Sequence, residues 1–264
     1  MEGLLPAGAE TTIYNERILT MPRGLPDYGI PIYGLASQYV DMATLFLAQT
    51  GFTSVDGTGR IFYADNFHGG LGGFEATASG DAKTPYPATT HCYVPPLSLG
   101  FNPGTVNGNG TSWVRKWMAI PDTERMGLEI IVAVGTDHPV KYDIALEYCY
   151  RNGSSYQWSV IWRTDTGLIQ IRSGGKFVTI DTYLVGVTGW YFAPIKLVGN
   201  VLNGLWERLL IGNKGYNLSA YTPSPSSLST QGMLMIQLRC DPVQVTTSGD
   251  YGRIGYMILT VDEP

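Results

Sequence analysis

From residue 60 onward, hydrophobic side chains recur at every second position in one short segment after another. In KYDIALEYCY, residues 141–150, aromatic and aliphatic residues alternate with polar or small ones. A period of two is the pattern of a strand with one buried face. YQWSVIWR, residues 156–163, repeats the pattern after the turn-forming RNGSS. We therefore predict a hairpin from these two segments.

At least nine segments of this kind occur, and no helical periodicity separates them, which predicts a sandwich or a barrel. The 33 glycines and 16 prolines supply the turns that many short strands need. The polar stretch between Gly69 and Ser112 is predicted to be an irregular loop with one or two short strands. The remaining candidate strands are 128–134, 168–173, 176–181, 190–200, 205–212, 233–240 and 253–261.

The first 55 residues have a different character. Residues 1–34 are rich in proline and glycine and keep no periodicity, so we predict an extended arm. Residues 35–50 carry an apolar stripe of helical period with Gly51 at the C′ position, which predicts one short helix. This helix either docks on another subunit or covers the sheet of its own domain. The candidate assembly residues are Tyr28, Tyr33, Leu35, Tyr39, Met42 and Phe46.

The segment FYADNFHGGLGGFE, residues 62–75, places Asp65, Asn66 and His68 beside two pairs of glycines. Asx residues after a strand hydrogen-bond the following turn, and glycines supply positive φ, so we predict a structural turn with His68 exposed. The alternative is a calcium site, in which Asp65, loop carbonyls and another carboxylate supply the oxygen ligands that calcium prefers. No other cofactor is expected.

RIFYADNF and the following Gly-Leu and Phe74 resemble the first strand of concanavalin A-like sandwiches, where Asp-x-Phe followed by Gly-Leu and an aromatic residue is recurrent. RIGYMILTVDEP, residues 253–264, is similar to the closing strand of that family. The resemblance covers residues 60–264 and implies an antiparallel jelly-roll β-sandwich, all-β, whose last strand returns beside the first. We place this domain at residues 56–264, after the arm and helix of residues 1–55.

Concanavalin A-like glycoside hydrolases carry their carboxylates close together on one strand, in a Glu-x-Asp-x-Glu or related pattern that does not occur here. Asp143 and Glu147 share one face of a predicted strand but are roughly 13 Å apart. Glycoside hydrolysis uses separations of about 5–9.5 Å, so we interpret the pair as part of a solvated polar face. No Gly-x-Ser-x-Gly, P-loop or GxGxxG motif suggests another chemistry. We predict a protein that is not an enzyme.

Charge and hydropathy exclude two classes of partner. Charged residues make up 15% of the chain, the formal net charge is −5, and lysines and arginines form no run. Nucleic acid is therefore not an expected partner. No apolar segment approaches the roughly 18 residues of a membrane span, and the N-terminus has no secretory pattern, so we expect no membrane partner and synthesis in the cytoplasm.

The first function that fits these features is structural. The layout of arm, helix, sandwich and acidic-Pro tail resembles uncharacterised proteins of tailed-phage and metagenomic virion gene sets. This resemblance implies a virion protein, either a capsid decoration or a tail-associated part. The N-terminal arm would then attach it to a coat protein lattice or to other copies in a homo-oligomer.

The alternative function is carbohydrate binding, with host or cell-surface glycans as partners. Sugars are held by aromatic platforms together with amide or carboxylate hydrogen bonds, and this chain has six tryptophans. Trp113 and Trp117 flank a basic pair after a loop rich in glycine and asparagine, and they are the candidate glycan-binding residues. Trp158 and Trp162 share a strand face with other hydrophobic residues, which predicts a place in the core.

Overall fold

The computed structural model describes residues 58–93, 97–105, 110–135, 139–149, 154–184, 190–226, 232–243 and 252–264. Their regular structure is entirely β, arranged in two antiparallel sheets. The predicted fold class, an all-β antiparallel jelly-roll sandwich, is confirmed for these residues. The predicted arm, the predicted helix and the boundary at residue 55 lie outside them. The same holds for the candidate assembly residues Tyr28, Tyr33, Leu35, Tyr39, Met42 and Phe46.

The first sheet has eight strands. In spatial order, seven of them are β13 (Lys214–Asn217), β12 (Leu205–Ile211), β11 (Trp190–Asn200), β6 (Arg125–Gly135), β16 (Gly252–Val261), β4 (Ser98–Asn102) and β3 (Lys83–Ala88). The eighth strand, β1 (Arg60–Asp65), pairs with β16 on the same edge as β4.

The second sheet also has eight strands. In spatial order, seven of them are β10 (Lys176–Thr182), β9 (Leu168–Ser173), β8 (Ser155–Arg163), β7 (Val140–Cys149), β15 (Met233–Pro242), β5 (Thr111–Ala119) and β2 (Glu75–Ser79). The eighth strand, the short β14 (Ser224–Pro225), pairs with β8.

Two strand pairings expected from the sequence are present. β7 and β8 form the predicted hairpin, with Tyr142 opposite Trp162 and Tyr148 opposite Tyr156. β16 returns beside β1, with Val261 opposite Arg60. The first and last described strands are therefore neighbours in one sheet.

The stretch between Gly69 and Ser112 differs from its prediction. It contains three complete strands, β2, β3 and β4, and the start of β5, where one or two short strands were expected. β3 has the sequence KTPYPA, and its two prolines argue against a strand in sequence reasoning. The structure places β3 at the end of the first sheet, where a strand tolerates residues that cannot donate to a neighbour.

The inner faces of the two sheets form one hydrophobic core. The Trp158 and Trp162 side chains are fully buried, as predicted. The indole nitrogen of Trp158, on β8, donates to the Leu205 carbonyl at 3.0 Å, and that of Trp206, on β12, donates to the Arg172 carbonyl at 3.2 Å. These two bonds run in opposite directions between the sheets, so buried tryptophans tie the layers together with polar as well as apolar contacts.

A buried ionic cluster is centred on Glu263, which follows β16. The Glu263 carboxylate is fully buried, with the Lys196 ammonium 2.9 Å from Oε1 and the Arg208 guanidinium 2.8 Å from Oε2. Thr58 Oγ1 donates to Oε2 at 2.9 Å, and Thr260 donates to Oε1. The cluster therefore joins both ends of the described chain to β11 and β12.

Candidate functional site

The glycine-rich segment after β1 forms a tight turn. Asp65 Oδ1 accepts the Phe67 backbone N–H at 2.7 Å, and Asn66 Oδ1 accepts the His68 N–H at 3.1 Å. The prediction that these Asx residues hydrogen-bond the turn is confirmed. Positive φ falls on Gly70 and Gly73 and, unexpectedly, on Phe67, whose φ is 61° and whose ring is buried. His68, predicted to be exposed, is half-buried.

The second oxygen of Asp65 accepts the Tyr63 hydroxyl at 2.7 Å, so both carboxylate oxygens already serve the turn. In the part of the chain that the structure describes, no group of three or more His, Cys, Asp or Glu side chains is arranged to hold a metal. Calcium at Asp65 remains a prediction from the sequence. No helix in this part is long and apolar enough to cross a membrane.

The predicted glycan-binding residues lie on the outer face of the second sheet. Val114 is fully buried in the core, and because side chains alternate along a strand, Trp113, Arg115 and Trp117 point away from it. All three are half-buried. The Arg115 guanidinium carbon lies 4.2 Å from the centre of the Trp113 ring, which is the distance of a cation–π contact.

A row of side chains crosses this face from β5 to β10. Trp117 stands opposite Met235, Met235 opposite Glu147, and Glu147 opposite Gln157. Arg172 of β9 donates to Gln157 Oε1 at 2.6 Å, and its guanidinium carbon lies 5.7 Å from the ring centre of Phe177 on β10. We call the outer face of the second sheet the polar face, and its defining residues are Trp113, Arg115, Trp117, Gln237, Glu147, Gln157, Arg172 and Phe177.

A second row brings Trp113 opposite Arg239, and Arg239 opposite Asp143. Arg239 nevertheless bonds along its own strand, because its Nε donates to Asp241 Oδ1 at 2.7 Å. Lys141 approaches the other Asp241 oxygen, also at 2.7 Å. The Asp241 carboxylate is thus paired with two cations at one end of the polar face.

The two carboxylates of β7 are less solvated than the sequence suggests. Glu147 is only 4% exposed, and Asp143 is half-buried. Burial raises the pKa of both carboxyl groups above its usual value, although hydrogen bonds from Ser159 to Asp143 and from Ser226 to Glu147 oppose the shift. The interpretation as a freely solvated face is therefore wrong, because burial withdraws both carboxyl groups from water, and Glu147 lies between Met235 and Gln157 of the neighbouring strands.

The raised pKa of Glu147 predicts how its substitution changes stability with pH. The folded state holds the Glu147 proton more tightly than the unfolded state, so this group lowers the free energy of unfolding as pH rises above its usual pKa of 4.5. Glu147→Gln keeps an oxygen for the Gln157 amide and removes the titration. We expect the variant to gain stability relative to the parent as pH rises above 4.5, the usual pKa of the group.

Urea unfolding of both proteins at several pH values measures this difference. Because all other titrating groups are shared, their contributions cancel in the comparison. A stability difference that stays constant with pH would contradict the raised pKa.

Sequence reasoning missed four members of the polar face, namely Gln157, Arg172, Phe177 and Gln237. Each lies at an outward position of a correctly predicted strand, so alternation alone would have assigned it to this face. Their proximity depends on the order of the strands in the sheet. No local pattern encodes that order.

Comparison with known proteins assigns no family, since no family model and no curated protein matches the chain. Several solved structures resemble it weakly. A sialidase aligns with 11% identity and a TM-score of 0.46, over 78% of this chain and 19% of the sialidase chain. This chain therefore spans about a fifth of that protein.

Two further structures align over most of their own length. The cellulose-induced protein Cip1 shows 12% identity and a TM-score of 0.47, over 75% of this chain and 96% of that one. The globular domain of T. cruzi calreticulin shows 7% identity and a TM-score of 0.47, over 76% and 88%. With TM-scores below 0.5, these resemblances assign neither a ligand nor an activity to this chain.

Proposed function

We propose that this protein binds carbohydrate on the polar face of its second sheet, without catalysis. The observation that carries the proposal is the position of Trp113 and Trp117, half-buried on the outer side of β5 and in register with polar side chains of β15 and β7. Sugars present apolar C–H faces together with hydroxyl groups. A surface that combines indole rings with amides and charged groups matches both features.

The spacing of the two indoles supports a ligand longer than one sugar. Trp113 and Trp117 are four residues apart on one strand, which places their backbone positions roughly 13 Å apart. Gln237 stands opposite Arg115 between them and accepts its Nε–H at 2.9 Å. The arrangement offers two aromatic platforms separated by a fixed pair of hydrogen-bonding groups.

The assembly function stays a prediction from residues 1–55 and from the resemblance to virion proteins. Its candidate residues lie outside the described part of the chain. Homo-oligomerisation, attachment to a coat lattice and a virion location therefore remain predictions from the sequence. A glycan-binding sandwich is compatible with them, because a virion surface protein can also bind host glycans.

Glycan-array binding of the parent protein and of a Trp113→Ala/Trp117→Ala variant tests the proposal. We expect the parent to bind a set of oligosaccharides and the double variant to lose at least about tenfold in affinity, since each aromatic platform supplies a hot-spot contact. Circular dichroism of both proteins checks that the fold is unchanged.

Phe62→Ala is the matched control, because Phe62 is an exposed aromatic residue on β1 of the other sheet, 43% accessible. Its glycan binding should equal that of the parent. Absence of any glycan signal from the parent would overturn the proposal. Equal binding by the parent and the double tryptophan variant would remove the polar face as the site.

A further inference from the structure

Arg115 is held on the polar face by an amide and an aromatic ring. Its Nε donates to Gln237 Oε1 at 2.9 Å, and its guanidinium carbon lies 4.2 Å from the Trp113 ring centre. The glutamine fixes one edge of the planar group, and the indole supports one side. The remaining N–H groups keep a defined direction.

Arg172 has similar surroundings on the same face of the sheet, on β9 near the opposite edge. Its Nη1 donates to Gln157 Oε1 at 2.6 Å, and its guanidinium carbon lies 5.7 Å from the Phe177 ring centre. Phe177 is 52% exposed, so this ring is also accessible to a ligand. The combination of arginine, glutamine and aromatic ring therefore occurs twice on one face, once on each side of Glu147.

Neither guanidinium forms a direct ion pair with the described residues, although the Glu147 carboxylate between them attracts both at longer range. The hydrogen-bond acceptor of each is a neutral amide oxygen, and the buried Nε of Arg172 has no hydrogen-bond partner in the described part of the chain. Other arginines of this sheet differ, since Arg239 pairs with Asp241 and Arg163 pairs with Asp165. Two oriented cations thus remain on the polar face.

The distance between these cations suggests the size of their ligand. β5 and β9 are separated by β15, β7 and β8, which makes four strand spacings. At about 4.8 Å per spacing, the backbone positions of Arg115 and Arg172 are roughly 19 Å apart. A single sugar cannot contact both, whereas an extended oligosaccharide lying across the strands can.

We infer that the ligand is an acidic oligosaccharide whose uronate carboxylates bind Arg115 and Arg172. This inference rests on the proposed function and specifies its ligand class. A carboxylate accepts two parallel N–H groups from a guanidinium, which a sugar hydroxyl cannot do. Each site also has an aromatic ring beside the cation, against which the apolar face of the same sugar can pack.

The test uses matched pairs of oligosaccharides that differ only at C6. Oligomannuronate hexamers and mannohexaose form one pair, and oligogalacturonates with their carboxyl-reduced counterparts form another. Calorimetric titration of the full chain should give at least about tenfold tighter binding to the uronate of one pair, as expected for charge-assisted hydrogen bonds. Added salt should weaken binding of the uronate and leave that of its neutral counterpart unchanged.

An Arg115→Gln/Arg172→Gln variant should bind the two members of the pair about equally, because the charge that distinguishes the uronate from its neutral counterpart no longer meets a cation. Arg60→Gln is the control, because Arg60 lies on the other sheet and is 64% exposed. This control should keep the full preference for the uronate. The parent protein alone tests the inference if the double variant does not fold.

The outcomes separate the inference from the proposed function. The inference of an acidic ligand would be wrong if the parent bound both members of every pair with equal affinity. It would also be wrong if the parent bound only neutral glycans and did so through its tryptophans. In either case the proposed glycan binding would stand. Absence of binding to any glycan would overturn both. A preference for uronates that persists in the double arginine variant would reject these two residues as its source.

Discussion

Replacing Glu263 with alanine is expected to lower the free energy of unfolding by about 3–5 kcal/mol, the usual cost of breaking a buried ion pair from one side. The Glu263 side chain is inaccessible to solvent, and it contacts Lys196 at 2.9 Å and Arg208 at 2.8 Å. Alanine would remove the carboxylate that forms ion pairs with both of these cations. It would also remove an acceptor from Thr58, which bonds Oε2 at 2.9 Å.

Urea unfolding measures this loss, and Arg60→Ala is a suitable control. Arg60 and Asp262 form an ion pair at 3.1 Å, but their side chains are 64% and 53% exposed. Solvent screens such a pair, so its loss should cost no more than about 1 kcal/mol. Similar losses in the two variants would contradict a stabilising role for the buried cluster.

The second large effect is expected from Trp158→Ala, also about 3–5 kcal/mol. Trp158 is completely buried between the sheets. Its ring packs against the backbone of β11, where a Cβ on Gly199 would lie only 2.5 Å from the indole nitrogen. Alanine would leave a cavity there and would deprive the Leu205 carbonyl of its indole donor.

Trp113→Ala supplies the matched comparison, because it removes the same side chain from a half-buried position on the polar face. We expect a clearly smaller loss of stability, with the effect on glycan binding instead. Denaturant unfolding of both variants tests this division. A loss for Trp113→Ala as large as that for Trp158→Ala would show that the polar face is part of the structural core.

The strands could be predicted because hydrophobic residues of the inner faces occur at every second position of their strands. Tyr142 and Trp162 occupy the faces that their period of two indicates, and the structure places them opposite each other in the core. β3 was missed because its prolines conceal it, and its place at the end of a sheet explains why they are tolerated.

The candidate site could be predicted only in part, because its residues come together through strand order. Arg115 and Gln237 are 122 residues apart in sequence but share a hydrogen bond, since β15 lies between β5 and β7. Trp113 and Trp117 could be chosen from local sequence. Gln157 and Arg172 could be assigned to the site only once the order of the strands in the sheet was known. The burial of Glu147 likewise depends on residues of other strands, which no pattern within β7 reveals.

The pairing of β16 has a consequence for biosynthesis. This strand lies inside the first sheet, hydrogen-bonded to β6 on one side and to β4 and β1 on the other. It is also the last of the described strands to emerge from the ribosome. Until it emerges, the facing edges of β6 and of β4 and β1 lack this partner, and exposed strand edges of this kind favour association with other chains. Nascent chains that stall before residue 252 should therefore depend on chaperones to remain free of aggregation.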